Sequence, residues 1–322
     1  MSARRDAVDS MTRHAGQPLP APSGAGSTGA GSTGGAIVLL IVAMGLFSIS
    51  DALAKQLTAR LPALEVTWFR HVALLLTVLP LLVRYRGALR SRNLSVQIGR
   101  AIGLILSTVL FILALGALPI ADATAMVFAS PLFVTLLSAW LLREHVDAAR
   151  WAVVAIGFVG VLIVMRPGTT AFQPAALLPV GSSIAWALAL ICTRKASETD
   201  GVATTMTHSA LIAGALLTLV VIPGYVHPDA HEWLRLIAMA LAWCGAQWLV
   251  VAAYQRGTAS TLAPFQYSQL LFATALGVFV FGQWPDAVAL FGIAVILACG
   301  AFAAWRSTRP IDPVAAEEEA LR

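Results

Sequence analysis

Two charged side chains, Asp51 and Arg70, stand inside long apolar runs of this 322-residue sequence. A charge held at hydrocarbon depth costs at least about 2.5–3.5 kcal/mol, so such residues face protein or water and keep a partner. Asp51 lies toward the far end of one run and Arg70 one to two turns into the next, which lets them share a depth. The pair reads either as a gate that opens and closes around a charged solute or as a static tie between two helices. Lys55, one turn after Asp51, completes the charge set as a second candidate partner.

Other polar and aromatic residues sit in the apolar runs at spacings that suit solute binding. Pro131, preceded by Ser130, falls mid-run, where its missing N–H frees the carbonyl of Val127 and kinks the helix. Gln266, Tyr267 and Gln269 offer hydrogen bonds; the two glutamines, three apart, share a helical face, with Tyr267 turned about 100° from Gln266. Gln247, with Trp248 beside it and Trp243 one turn before, adds an amide and an aromatic wall, and Trp186 adds another ring. Ser130, Pro131, Trp186, Trp243, Gln247, Gln266, Tyr267 and Gln269 are therefore the substrate-binding candidates. The competing reading of each is polar glue between helices, worth about 0.6–2 kcal/mol per bond. His208 is a candidate proton carrier, histidine being the side chain that titrates near neutral pH, or else a packing residue.

Catalytic patterns are missing. The sequence has no paired intramembrane aspartates, no His-Glu-x-x-His and no Walker-type glycine-rich lysine motif. Cys192, Cys244 and Cys299 lie in apolar stretches without metal-ligand spacing. No enzyme activity, metal or cofactor is expected.

These residues need elements that can hold them in lipid. The chain is 58% hydrophobic and 11% charged, with a mean hydropathy of +0.81, whereas soluble domains carry about a quarter of their residues charged. A helix crosses the hydrocarbon core with about 20 apolar residues. The predicted spans are Ile37–Lys55, Leu64–Val83, Ile98–Leu118, Ala121–Leu142, Ala149–Met165, Ala175–Thr193, Thr204–Ile222, Leu234–Tyr254, Ala259–Phe281 and Ala287–Trp305. With the N-terminus inside, sixteen Lys and Arg residues fall in cytoplasmic segments and four in outer ones, which puts both termini in the cytoplasm. The pI near 9.6 is thus a topology signal, and no nucleic-acid partner is expected. Residues 1–35, ending in a Gly-Ala-Gly-Ser-Thr repeat, read as a flexible leader, and 307–322 as a cytoplasmic tail.

Sliding the chain by 139 positions superposes Leu132-Phe133 on Leu271-Phe272, Thr135 on Thr274 and Asp147-Ala148 on Asp286-Ala287. This register divides the spans into two sets of five, 36–168 and 169–306. Five is odd, so the halves cross the membrane in opposite senses, the inverted arrangement of many secondary transporters.

The stretch from Phe111 to Gly168 resembles the repeat signature of EamA-type proteins of the drug/metabolite transporter superfamily. The matching pieces are the small residues at Ala121–Ala125, Ser130-Pro131-Leu132, the acidic Glu144, and Gly157 and Gly160. The opening Phe47–Lys55, with Arg70 one helix later, is similar to proteobacterial members. In the second half Gln283 stands for Glu144, and Gln269-Leu270 for Ser130-Pro131. The resemblance implies an all-α fold of ten transmembrane helices in two repeats that transports amino acids or related metabolites. The expected function is a secondary transporter in a bacterial-type inner membrane, working by alternating access on a small-molecule metabolite, with protons as a candidate coupling ion. Export of an amino-acid-like or amphipathic compound is favoured slightly over uptake of a vitamin- or nucleoside-like one.

Overall fold

The computed structural model describes residues 30–84, 90–141, 148–167, 172–197, 199–200, 202–254, 256, 262 and 265–307. Among them the regular elements are helices: α1 (Ala30–Leu57), α2 (Ala63–Arg84), α3 (Leu94–Ala117), α4 (Ile120–Val127), α5 (Ser130–Leu141) and α6 (Ala148–Met165), followed by α7 (Leu177–Ser197), α8 (Val202–Val221), α9 (Ala230–Tyr254), α10 (Ser268–Phe281) and α11 (Ala287–Ser307). Seven stretches are long and apolar enough to cross a membrane, and three shorter apolar helices, Trp151–Met165, Ser268–Phe281 and Ala287–Phe302, accompany them. Large apolar side chains cover the outside: Phe279 is 86% exposed and Leu219 72%. Such a surface is stable only against lipid, and the chain is a multi-pass membrane protein. Leader residues 1–29, Glu144, His145, Asp147, Pro264 and the tail from 308 onward lie outside the described residues.

The helix pairs repeat in chain order. α3 packs on α7 as α9 packs on α1, and α5 on α7 as α10 on α1, while α2 pairs with α8 and α6 with α11. Small residues permit these approaches, since association in lipid relies on close van der Waals contact. A Cβ added to Gly292 would lie 2.9 Å from the Gly160 carbonyl oxygen, and one on Gly103 3.0 Å from that of Ala185. The small face at Gly99 and Gly103 is therefore spent inside the chain, against α7. A buried cluster including Leu115, Ile120, Met126, Leu236, Met239 and Leu270 joins the helices of both halves.

The fourth predicted span, Ala121–Leu142, is two helices rather than one kinked helix. α4 stops at Val127, and a turn follows in which the Phe128 N–H donates to the Ala125 carbonyl at 3.2 Å and the Ala129 N–H to that of Met126 at 3.1 Å. Pro131 becomes the second residue of α5, where its missing N–H costs little. The ninth span, predicted as Ala259–Phe281, also turns at Tyr267 before α10 begins at Ser268. At its far end Gly282 takes φ +64, the left-handed cap a glycine accepts without strain. That cap sets Gln283 so that its Oε1 accepts the Ile120 N–H at 3.3 Å, satisfying the start of α4.

Candidate functional site

Asp51 and Arg70 meet as their depth requires. Arg70 Nη2 donates to Asp51 Oδ1 at 3.0 Å, and both side chains are buried. The second carboxylate oxygen goes to the other half of the chain: Gln269 Nε2 on α10 donates to Asp51 Oδ2 at 3.2 Å. α1 is tied further by the Ser48 hydroxyl to the Gln269 carbonyl at 3.1 Å and the Ser50 hydroxyl to the Met239 carbonyl at 3.0 Å. Arg70 Nε is buried without a partner among the described residues. A guanidinium with one donor in reserve, in a dry setting, is primed for an acceptor from a bound molecule. His71, which sequence reasoning passed over, follows Arg70 into the interior. Its Nδ1 bonds the Thr67 carbonyl at 3.0 Å and its ring lies 5.7 Å from that of Trp243. Its signal was a second polar residue adjoining an intramembrane charge.

Lys55 does not pair with Asp51. Its Nζ donates to the carbonyls of Leu115 and Leu118, each at 2.5 Å, at the C-terminal end of α3. It also stands 5.7 Å from the Phe281 ring centroid. Carbonyls left free by a helix end, at the negative pole of its dipole, hold a cation there.

Helical geometry sorts the aromatic candidates. On α9, Leu234, Leu241 and Trp248 form one exposed stripe, so Trp248 lies on the lipid side. Trp243 is turned roughly half a revolution away and Gln247 about a third, and both are half-buried. On α7, Leu177, Ile184 and Leu188 make the exposed stripe, and Trp186 keeps 38% exposure on the opposite face. Pro131 is likewise exposed and lies half a turn of α5 away from Trp140, which is 77% exposed; Ser130 beside it is half-buried. Tyr267 stacks on Phe128 with centroids 4.8 Å apart. Gln266 and Gln269 flank the turn at Tyr267, so their spacing does not give them one continuous helix face. His208 is buried, with Nδ1 on the Thr204 carbonyl at 2.9 Å. Among the described residues no group of three or more His, Cys, Asp or Glu is placed to hold a metal.

Polar ties at the loops fasten the two halves together. Arg60 bridges Asp229 and Glu232, each at 3.2 Å. Those acids also cap α9 reciprocally, the Asp229 N–H on Glu232 and the Glu232 N–H on Asp229, both at 2.7 Å. The Glu232 N–H, ahead of Arg60, holds the Asp229 carboxyl below its ordinary value. Arg166 donates to Asp286, and this bond lowers the Asp286 carboxyl. At the loop between α7 and α8, Asp200 accepts from the Arg92 N–H at 2.8 Å, the Ser91 hydroxyl at 2.5 Å and Gln97 Nε2 at 2.9 Å. These donors, the Arg92 N–H first, depress its carboxyl. Sequence reasoning missed this tie because Asp200, Ser91 and Gln97 look like ordinary loop and helix-start residues.

The sequence model of the EamA-like transporter family matches residues 34–166 and again 173–304. The chain is 30% identical over 262 residues to a riboflavin transporter of Vibrio cholerae, covering 80% of this chain and 88% of that protein. It is 26% identical over 251 residues to an S-adenosylmethionine uptake transporter of Rickettsia prowazekii, covering 78% and 85%. It is 27% identical over 271 residues to the pseudopaline exporter CntI of Pseudomonas aeruginosa, covering 82% and 94%. A solved structure 20% identical in sequence shares the fold with a TM-score of 0.60, across 85% of this chain and 99% of that one.

Proposed function

This chain belongs to the EamA-like transporter family, and on that premise we propose that it is a secondary transporter. It moves a small organic metabolite across a bacterial-type inner membrane by alternating access. In this reading ten spans form two inverted five-helix repeats, 36–168 and 169–306, with both termini cytoplasmic and the substrate held between the halves near the midplane.

The observation that carries the proposal is the buried Asp51–Arg70 pair of the first half, held by Gln269 of the second. A solute bearing an acceptor group takes the free Arg70 Nε, and a donor or acceptor on it competes for the Gln269 amide. Either exchange loosens the tie between α1 and α10 and couples occupancy to movement of the halves. Trp186, Trp243 and the Phe128–Tyr267 stack supply flat apolar surface, so the fitting substrate is amphipathic, with a polar head and an apolar or planar body. Export of an amino-acid-like or amphipathic metabolite and uptake of a vitamin- or nucleoside-like one both suit this lining. The named relatives include an uptake transporter and an exporter. Protons or an exchanged solute drive the cycle, with His208 the candidate carrier.

The test is uptake of a mixed metabolite pool into proteoliposomes, read by mass spectrometry, for wild type, Arg70→Ala and Gln269→Ala. Accumulation of a defined compound that folded variants lose supports the reading. Chemical alteration of lipid or solute in place of accumulation overturns it in favour of an enzyme.

A further inference from the structure

A second buried guanidinium lies where the sequence shows only a topology residue. Arg100, less than two turns into α3, is 9% exposed and wedged between α7 and α8. Its Nε donates to Thr193 Oγ1 at 2.8 Å and its Nη1 to the Ser209 hydroxyl. Both hydroxyl protons are spent on their own helices, Thr193 on the Ala189 carbonyl and Ser209 on that of Thr205, so each turns a lone pair to the cation. Among the described residues no carboxylate forms an ion pair with Arg100. Asp200 is occupied by the Arg92 N–H, Ser91 and Gln97. Of the five guanidinium N–H groups, two are used, and Nη2 has no protein partner among the described residues.

The two family matches start at 34 and 173, an interval of 139. The same interval carries Arg70 onto Ser209 and Arg100 onto Met239, so the α1–α2–α9 packing recurs as α7–α8–α3. In the first of these triangles the guanidinium meets the carboxylate of Asp51. In the second, among the described residues, it meets the hydroxyls of Thr193 and Ser209, which orient a cation without neutralising it. A buried, oriented and uncompensated charge is stable when an anion joins it.

We infer that Arg100, positioned by Thr193 and Ser209, is a binding site for an oxyanion, a carboxylate or phosphate group, distinct from the Asp51–Arg70 centre. The free N–H groups of Nη1 and Nη2 form a fork that suits two oxygens of one group. The anion belongs either to a soluble metabolite or to a lipid headgroup, and the two sources separate by experiment.

Full-length protein, purified and delipidated in neutral detergent, is titrated with succinate, with inorganic phosphate, and with phosphatidylglycerol against phosphatidylcholine micelles, following the thermal unfolding midpoint. At least one anionic probe raises the wild-type midpoint saturably. Arg100→Gln weakens that probe's apparent affinity at least tenfold, Arg100→Lys weakens it less, and Thr193→Val with Ser209→Ala, which keeps the charge, weakens it several-fold. A response to succinate or phosphate assigns a soluble ligand; a response confined to phosphatidylglycerol assigns a headgroup. Without any anion, Arg100→Gln unfolds no earlier than wild type, because it removes a charge that no carboxylate among the described residues pairs. An earlier unfolding without anion, or the same anion response in Arg100→Gln as in wild type, or no response to any probe, overturns the inference. Gln269→Ala leaves the anion response intact, so failure of the transport reading and failure of this one are told apart.

Discussion

Phe128 and Tyr267 stack with ring centroids 4.8 Å apart and planes inclined by 21°, and they are separated by 139 positions, the interval between the two family matches. Each ring stands at the turn that interrupts its own span, Phe128 between α4 and α5 and Tyr267 ahead of α10. The two interruptions thus face each other, and equivalent residues of the two repeats form one contact. Tyr267 reaches this position because Gly300 on α11 has no Cβ: one added there would run into the tyrosine ring.

Gly300→Ala therefore forces the Tyr267 ring off Phe128. Overpacking of this kind costs about 1–3 kcal/mol, read as a lower thermal midpoint in detergent. In a Tyr267→Ala background the same substitution costs little, and an equal loss in both backgrounds would contradict the contact.

Arg70→Gln and Asp51→Asn each leave one buried charge without its partner, at about 3–5 kcal/mol. The double variant recovers much of that loss, since neither charge remains. If the pair serves transport as well as folding, the double variant is stable yet does not accumulate solute in proteoliposomes.

Lys55→Met strips the donor from the Leu115 and Leu118 carbonyls, at about 1–3 kcal/mol for the unsatisfied acceptors. Because Lys55 bonds those carbonyls and Asp51 bonds Arg70, a double-mutant cycle of Lys55 with Asp51 gives a smaller coupling than one of Arg70 with Asp51. A coupling in unfolding measurements as large as that of Arg70 with Asp51 would restore the pairing of Lys55 with Asp51.

The Asp200 tie carries a pH signature. Its carboxyl is held below the ordinary value of 3.8, chiefly by the Arg92 N–H. Its stabilisation is therefore present in full above that value and is lost as pH falls through the depressed one. Asp200→Asn unfolds earlier than wild type at neutral pH, and the difference narrows under acid. A difference that stays constant down to pH 3 would remove the carboxylate from the account.

Much of the site was legible along the chain, and what was missed has a common cause. Asp51 and Arg70 stood out because a charge in an apolar run needs a partner, and adjacent antiparallel helices offer one at matched depth. Trp243 and Gln247 were read as neighbours from helical spacing, and they share the face turned from lipid. The same local reasoning offered Lys55 as a second candidate partner for Asp51, where a helix end in α3 held stronger acceptors. It counted Arg100 with the loops, because its burial depends on helices far along the chain.

Composition alone determined that lipid is the solvent and helices are the elements, because an apolar chain must satisfy its backbone internally. Hydrophobic length predicted ten spans, and seven stretches are long and apolar enough to cross a membrane; the recurring interval of 139 equals that between the two family matches. Partner choice was left to tertiary structure. Gln269 reaches Asp51 across 218 positions and Lys55 reaches Leu115 across 60. A helical period reports only which residues share a face. Which face meets which is decided by the packing of small residues such as Gly103 and Gly160, and the hydrogen bonds then form between whatever that packing brings within about 3 Å.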